Sequence, residues 1–376
     1  MSAYFFHFAV YYRGFFNCLT TDGKVFDDQK HVWLQARQVW TYMRLYNEFE
    51  RFKKPEILDA AKRGAVFLQK YAKNPSTYKC YLALTRDGKP VRMQKTVFSE
   101  CFYMMAMSEL ARGTGEQSFK DEAIKMMDRI VHWLRVDNTD INLPDYAGIP
   151  PTSSLAEPMM LLCLIQQLKD MDPASLDKYG DLPQWCIQQI LMHIQRDGKY
   201  ILENVSPEGK ELPGSHGRVM TPGHSIEAGW FLLQYAIQQN DESLKNTAIQ
   251  KFMINPFEYG WDNEYGGIFY FMDVDGFPPV QLESDMKLWW VHNESMISFL
   301  MAYKETGDQA HLDRFAKIFD YSYSHFVDEE NGEWYGYLNR QGPVSLSFKG
   351  GPWKGCFHVP RCLLMCEKML KQLCNK

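Results

Sequence analysis

Six stretches of this chain are apolar on almost every side, and stretches apolar on one side only lie between them. The first kind runs over Val32 to Tyr46, Phe98 to Leu110, Leu155 to Leu168, Ser225 to Ile237, Glu294 to Tyr303 and Phe357 to Leu370. Runs such as Met104-Met105-Ala106-Met107 leave no polar face, so a helix built from them is buried all round. The second kind keeps a single stripe: Ala61/Ala65/Leu68/Ala72, Met126/Met127/Ile130/Leu134, Ile187/Ile190/Leu191/Ile194 and Leu312/Phe315/Phe319/Tyr323. Such helices suit an outer layer with one face in water. One charged residue stands near the first turn of each buried stretch: Arg37, Glu100, Glu157, Glu227, Glu294 and Arg361, spaced by 63, 57, 70, 67 and 67 residues. That period holds two helices and their loops. Six such pairs, each burying its inner helix against the next, predict an all-α (α/α)6 barrel, one domain over residues 1–376.

The linkers carry short alternating runs ahead of tight turns. Leu82-Ala83-Leu84 precedes Asp87-Gly88, Ile268 to Phe271 precedes Asp275-Gly276, and Trp334 to Tyr337 precedes Gln341-Gly342. These predict β-hairpins gathered at one mouth of the ring. They would wall an aromatic-lined pocket, which suits a sugar: C–H faces stack on rings and hydroxyls seek polar partners.

Composition narrows the partners. Formal net charge is -5 and no basic run stands out, which excludes a nucleic-acid footprint. No uncharged apolar run approaches the roughly 18–20 residues of a membrane span, so no membrane partner is expected. Met1 to Tyr12 lacks a basic start and a small-residue cleavage site, so it does not read as a signal peptide. Nine cysteines are scattered without any Cys-x-x-Cys pair. That fits reduced core thiols in a cytoplasmic protein, and neither a disulfide framework nor a zinc site.

Two of the ten histidines stand in register with the repeat. His224 precedes Glu227 by three residues, and His358 precedes Arg361 by three. Each therefore shares a helix face with its repeat's charged residue. A lone histidine near a helix start is commonly a cap or core residue; two in register point instead to a shared cavity. Imidazole both accepts and donates a proton near neutrality. Two of them can take a proton from one face of a carbon and return it to the other, which is inversion next to a carbonyl. Arg37 or Arg361 would stabilise the enolate oxygen. Glu227 and Glu294 would orient an imidazole. His292, two residues before Glu294, points elsewhere on the helix but is expected to reach the cavity rim. No tight metal signature is present, so no metal is expected. The rival reading is an inverting glycosidase using Glu227 with Glu294, or Glu100 with Glu157, as acid and base. It leaves the paired histidines without a role.

At these residues the chain resembles the N-acylglucosamine 2-epimerase family. The resemblance runs from about Gly14 to the C-terminus. It is carried by Val32-Trp33-Leu34-Gln35-Ala36-Arg37, Phe98-Ser99-Glu100-Cys101-Phe102, Pro222-Gly223-His224-Ser225-Ile226-Glu227, Lys287-Leu288-Trp289-Trp290 and Phe357-His358-Val359-Pro360-Arg361. It implies interconversion of N-acetylglucosamine and N-acetylmannosamine, as in sialic acid metabolism. It implies His224 and His358 as the acid/base pair, lined by Arg37, Glu227, Glu294 and Arg361; Trp33, Glu100 and His292 are expected in support. It further implies chemistry without a cofactor, a nucleotide such as ATP as an allosteric effector, a homodimer, and renin as a protein partner. Two other functions remain open at this point: an aldose–ketose isomerase on the same scaffold, and a non-catalytic protease-binding protein. One departure stands out. The family's animal members begin with a further helix and a His-Gly-Gly turn, whereas here Met1-Ser2-Ala3 reaches Tyr12-Arg13-Gly14 too soon for that helix. The first outer helix is therefore expected to be truncated, leaving Trp33 and Trp40 less covered.

Overall fold

In the computed structural model, which describes residues 14–141, 148 and 150–375, the alternation of helix types becomes two concentric layers. The inner helices are α1 (Val32–Glu48), α3 (Phe98–Thr114), α5 (Ala156–Met171), α7 (Pro222–Gln239), α10 (Trp289–Thr306) and α12 (His358–Cys374). The outer layer holds α2 (Pro55–Tyr71), α4 (Gln117–Arg135), α6 (Leu182–Leu191) and α11 (Gln309–His325). Between α7 and α10 it is a broken helical stretch: α8 (Glu242–Thr247), a π-helical turn (Ala248–Ile254) and α9 (Asn255–Gly260). No one-sided stripe announces that fourth outer element in the sequence. The expected truncation of the first outer helix falls on residues 1–13, outside the described residues.

Burial follows the two sequence patterns. In α10 every residue from Trp289 to Leu300 is buried, so the helix has no wet face. In α4 the buried set is Phe119, Ala123, Met126, Met127, Ile130 and Trp133, which is one stripe at helical spacing. Ile194, placed by its stripe in the third outer helix, instead pairs with Ile201 in a short strand, because α6 ends at Leu191. All nine cysteines are unpaired, eight of them buried or half-buried.

Six small sheets, among the described residues, join the helices. Two expected hairpins form: Ala83–Leu84 with Pro90–Arg92, and Tyr337–Leu338 with Val344–Leu346. The third does not. Ile268 bridges back to Trp261, and Met272–Asp273 pairs with Val219–Met220 across the linker preceding α7. Strands Lys30–His31 and Lys287–Leu288 run straight into α1 and α10, and each carries a fully buried lysine. Lys30 Nζ donates to Phe15 O at 2.5 Å; Lys287 Nζ donates to Asp262 and to Gly266 O, both at 2.9 Å. These buried ammonium groups satisfy loop carbonyls and fix where two inner helices begin.

The opposite end of the ring is tied by a second buried charge. Glu109 of α3, fully buried, accepts from Gln167 of α5 at 2.8 Å and Asn47 of α1 at 2.8 Å, and pairs with Arg44 of α1 at 2.6 Å. Trp40 joins the network through Gln167 at 2.9 Å. Of the two tryptophans expected to be less covered, Trp40 at 5% exposure is enclosed, with Phe357 at 5.0 Å, whereas Trp33 is half-buried. The α1–α2 contact is so close that a Cβ on Gly64 would lie 2.4 Å from Phe15 and 2.7 Å from Val39. Gly64→Ala should therefore destabilise the fold by about 1–3 kcal/mol, because overpacking exceeds the gain of below ~1 kcal/mol in helix propensity. Denaturant melting checks this.

Candidate active site

The inner helices begin at the mouth carrying the hairpins, and four of them bring side chains together there. Pro222 opens α7 at a position where its missing N–H costs nothing, so His224 sits in the first turn. His358 is the first residue of α12. Trp290, in the first turn of α10, lies against both imidazoles, with ring centroids 5.1 Å from His224 and 5.9 Å from His358. Gly223 permits this approach: a Cβ there would fall 2.7 Å from the Trp290 ring.

Each imidazole has its own carboxylate. His358 Nδ1–H donates to Glu294 Oε1 at 2.8 Å. His224 Nδ1–H donates to both oxygens of Glu203 at 3.0 Å. These bonds fix the tautomers and leave each Nε2 without a partner among the described residues. Glu203 was not singled out from the sequence, which assigned imidazole orientation to Glu227 and Glu294. Its one signal is an isolated acid closing the apolar run Tyr200-Ile201-Leu202. Glu227 does something else: it accepts from Arg361 Nη2 at 2.5 Å. The same nitrogen lies 2.7 Å from Glu294 Oε1, and Trp230 Nε1–H donates to Glu294 Oε2 at 3.0 Å.

Arg37 completes the group, with no carboxylate among the described residues in ion-pair contact with it. Its guanidinium lies over Phe102 at 4.1 Å, Phe357 at 5.0 Å and Trp33 at 5.3 Å. Its Nε is buried without a partner. Burial and the nearby Arg361 lower its pKa to about 9, against the pull of Glu227 and Glu294. Trp33 is held in place by its indole N–H, which donates to Pro352 O at 3.1 Å.

The two histidines are tuned in opposite directions. Burial pushes His224 down, but the Glu203 carboxylate outweighs it and the pKa ends above the usual imidazole value. Burial also pushes His358 down, and there Arg37 and Arg361 add to it, so the pKa falls well below that value. Glu294 cannot rescue His358 as Glu203 rescues His224, because Arg361 already shares its charge. Oppositely shifted pairs of this kind divide into an acid and a base.

Two expected residues are not part of the group. Glu100 accepts from Lys79 Nζ and Cys80 N, both at 2.7 Å, and ties down the linker before α3. It lies two residues from Phe102, about 200° around the helix, so it faces away from Arg37. His292 is fully buried: Nδ1–H donates to Leu288 O at 2.7 Å and Nε2 accepts from Ile268 N at 3.0 Å. Burial lowers its pKa to about 3, so it is a neutral clamp on the backbone. Glu227, Glu294 and His358 offer ligand atoms within 4.8 Å of one another, as a metal site would. Arg361 occupies the charge position between the two carboxylates, which also denies two free carboxyl groups to a glycosidase using Glu227 with Glu294.

The matching family model, N-acylglucosamine 2-epimerase (GlcNAc 2-epimerase), covers residues 14–362. The chain belongs to the N-acylglucosamine 2-epimerase family. The N-acylglucosamine 2-epimerase of Mus musculus is 55% identical over 364 residues, covering 96% of this chain and 87% of that protein. That of Homo sapiens is 54% identical, covering 96% and 85%. Among solved structures, the cellobiose 2-epimerase of Bacillus thermoamylovorans B4167 superposes with a TM-score of 0.81 at 21% identity, over 97% of this chain and 95% of that one. A D-mannose isomerase gives 0.82 at 18% identity, over 98% and 95%. These likenesses establish the (α/α)6 barrel, and the chain is a carbohydrate epimerase of this family. No described helix is long and apolar enough to cross a membrane.

Removing Arg361 should be costly, since it would leave Glu227 and Glu294 as uncompensated buried charges. Arg361→Met is expected to lower stability by about 3–5 kcal/mol in denaturant unfolding at neutral pH.

Proposed function

We propose that this epimerase interconverts N-acetyl-D-glucosamine and N-acetyl-D-mannosamine by proton transfer at C2 between His224 and His358. The observation that carries the reading is the pair of oppositely tuned imidazoles beside an unpaired guanidinium. In the open-chain sugar the C1 carbonyl makes the C2 proton acidic. Neutral His358 Nε2 takes that proton from one face. The electron pair moves onto the C1 oxygen, and Arg37 meets the resulting enolate with a charge no carboxylate has claimed. Protonated His224 gives a proton to C2 from the other face as the C1 carbonyl re-forms. Exchange with water then takes the proton from His358 and reprotonates His224, and the reverse reaction runs from the opposite protonation states. The inner-helix N-termini at this mouth also favour a developing anion through their dipoles. Proton transfer by the two imidazoles and charge stabilisation by Arg37 and the helix N-termini all come from the chain itself, so the reading requires no cofactor.

The setting we propose rests on the family. One catalytic domain over residues 1–376 acts in the cytoplasm as a homodimer, in amino-sugar metabolism leading to sialic acid. A nucleotide such as ATP serves as an effector, and renin is a partner.

The direct test is NMR of N-acetylmannosamine turned over in D2O. Product should be N-acetylglucosamine carrying deuterium at C2; product that keeps its original C2 proton, or a ketose, overturns the reading. His224→Asn and His358→Asn should each lower kcat by about 10²–10⁴-fold while leaving circular dichroism unchanged. The pH dependence follows from the shifts. Activity should fall on the alkaline side as His224 loses its proton, at a pH above the ordinary imidazole value. It should fall on the acid side only when His358 gains one, well below that value. A kcat/KM–pH profile checks both limbs.

A further inference from the structure

His193 is a fully buried histidine that the mechanism does not use. It stands two residues past α6, where the chain turns into the strand Ile194–Gln195, paired with Tyr200–Ile201. Continuing that ladder by one rung would need two backbone bonds between His193 and Leu202. One exists: Leu202 N–H donates to His193 O at 3.0 Å. The other cannot, because His193 N–H is spent on Ile190 O at the end of the helix, at 3.2 Å. The side chain replaces it. His193 Nδ1–H donates to Leu202 O at 2.7 Å, closing the rung through the imidazole. The next residue is Glu203, whose N–H donates to Val219 O at 2.8 Å and whose carbonyl accepts from Leu155 N at 3.0 Å. The Leu202 carbonyl and the Glu203 N–H belong to one planar peptide, so the bonds from His193 and to Val219 together fix the plane from which the Glu203 side chain departs toward His224.

We propose that His193 is a positioning residue for proton transfer: by holding the Leu202 carbonyl it aims Glu203 at His224. This rests on the reading of His224 as the proton donor. His193 itself stays neutral, since burial lowers its pKa against the pull of the Leu202 carbonyl and Glu203. Its Nε2 is buried without a partner, so its contribution passes through Nδ1 alone. The groups facing the dyad are few. Glu227 acts on His224 from its own helix, His358 lies across from α12, and Tyr270 approaches Glu203 from the linker before α10. Without an aligned Glu203, burial dominates at His224 and its proton is lost at lower pH.

The test compares kcat, KM and the kcat/KM–pH profile for His193→Leu, His193→Asn and Glu203→Gln, with N-acetylmannosamine as substrate. Asparagine keeps an N–H donor near Leu202 O, and leucine does not. His193→Leu should lower kcat about tenfold with KM little changed, a fraction of the 10²–10⁴-fold worth of the acid/base group itself. It should also move the alkaline limb to lower pH, as Glu203→Gln does, and His193→Asn should restore the limb. If Glu203→Gln moves the limb but His193→Leu does not, His193 only fills space and the proposal fails. If Glu203→Gln leaves the limb in place, the reading of His224 fails and the proposal with it. His193→Met fills the same volume flexibly and carries the test if the leucine variant does not fold.

Discussion

A single buried carboxylate, Glu294, holds the centre of this molecule. It is fully buried, so an unmet acceptor would be expensive, and every direction is met: His358 and Arg361 on one oxygen, Trp230 on the other. Those partners come from α12 and α7, while Glu294 belongs to α10. One residue therefore joins three inner helices, sets the tautomer of His358 and places Arg361. The ring and the chemistry share it. A change here cannot be read as purely structural or purely catalytic.

The site is built twice with different charge balance. Both imidazoles donate Nδ1–H to a carboxylate and both lean on Trp290, yet the pKa of one is held above the usual imidazole value and that of the other well below it. The difference lies in what else touches each carboxylate. Among the described residues no guanidinium pairs with Glu203, whose carboxylate faces His224. Glu294 shares its charge with Arg361, and Arg37 stands near His358 as a second cation. An epimerase needs this asymmetry, because one proton must be present and one vacancy must wait for it. Among the described residues Arg37 has no ion-pair partner, so its charge is not neutralised by a contacting carboxylate, as the proposed role at the enolate requires.

Much of this was legible in the sequence because helices repeat. Period and burial pattern placed all six inner helices, and three-residue spacing put His224 with Glu227 and His358 with Arg361 on common faces. Spacing without facing misled in one case. Glu100 keeps the repeat distance but sits on the wrong side of α3, where Lys79 takes it. His292 failed for a related reason, since both its nitrogens serve the backbone. Glu203 could not be found from periodicity. It stands between two short strands, 21 residues before its partner, and its direction depends on pairings with Val219 and Leu155 that no local pattern encodes. The fourth outer element was hidden by its break into α8, a π-helical turn and α9.

The central claim is that the resting enzyme holds one proton between two imidazoles, and holds it on His224. Nitrogen-15 NMR of histidine-labelled protein at neutral pH, assigned with the His224→Asn and His358→Asn variants, tests this most directly. The account requires imidazolium shifts for His224, and for His358 a neutral ring with its proton on Nδ1. Both rings neutral, or the charge found on His358, would contradict it.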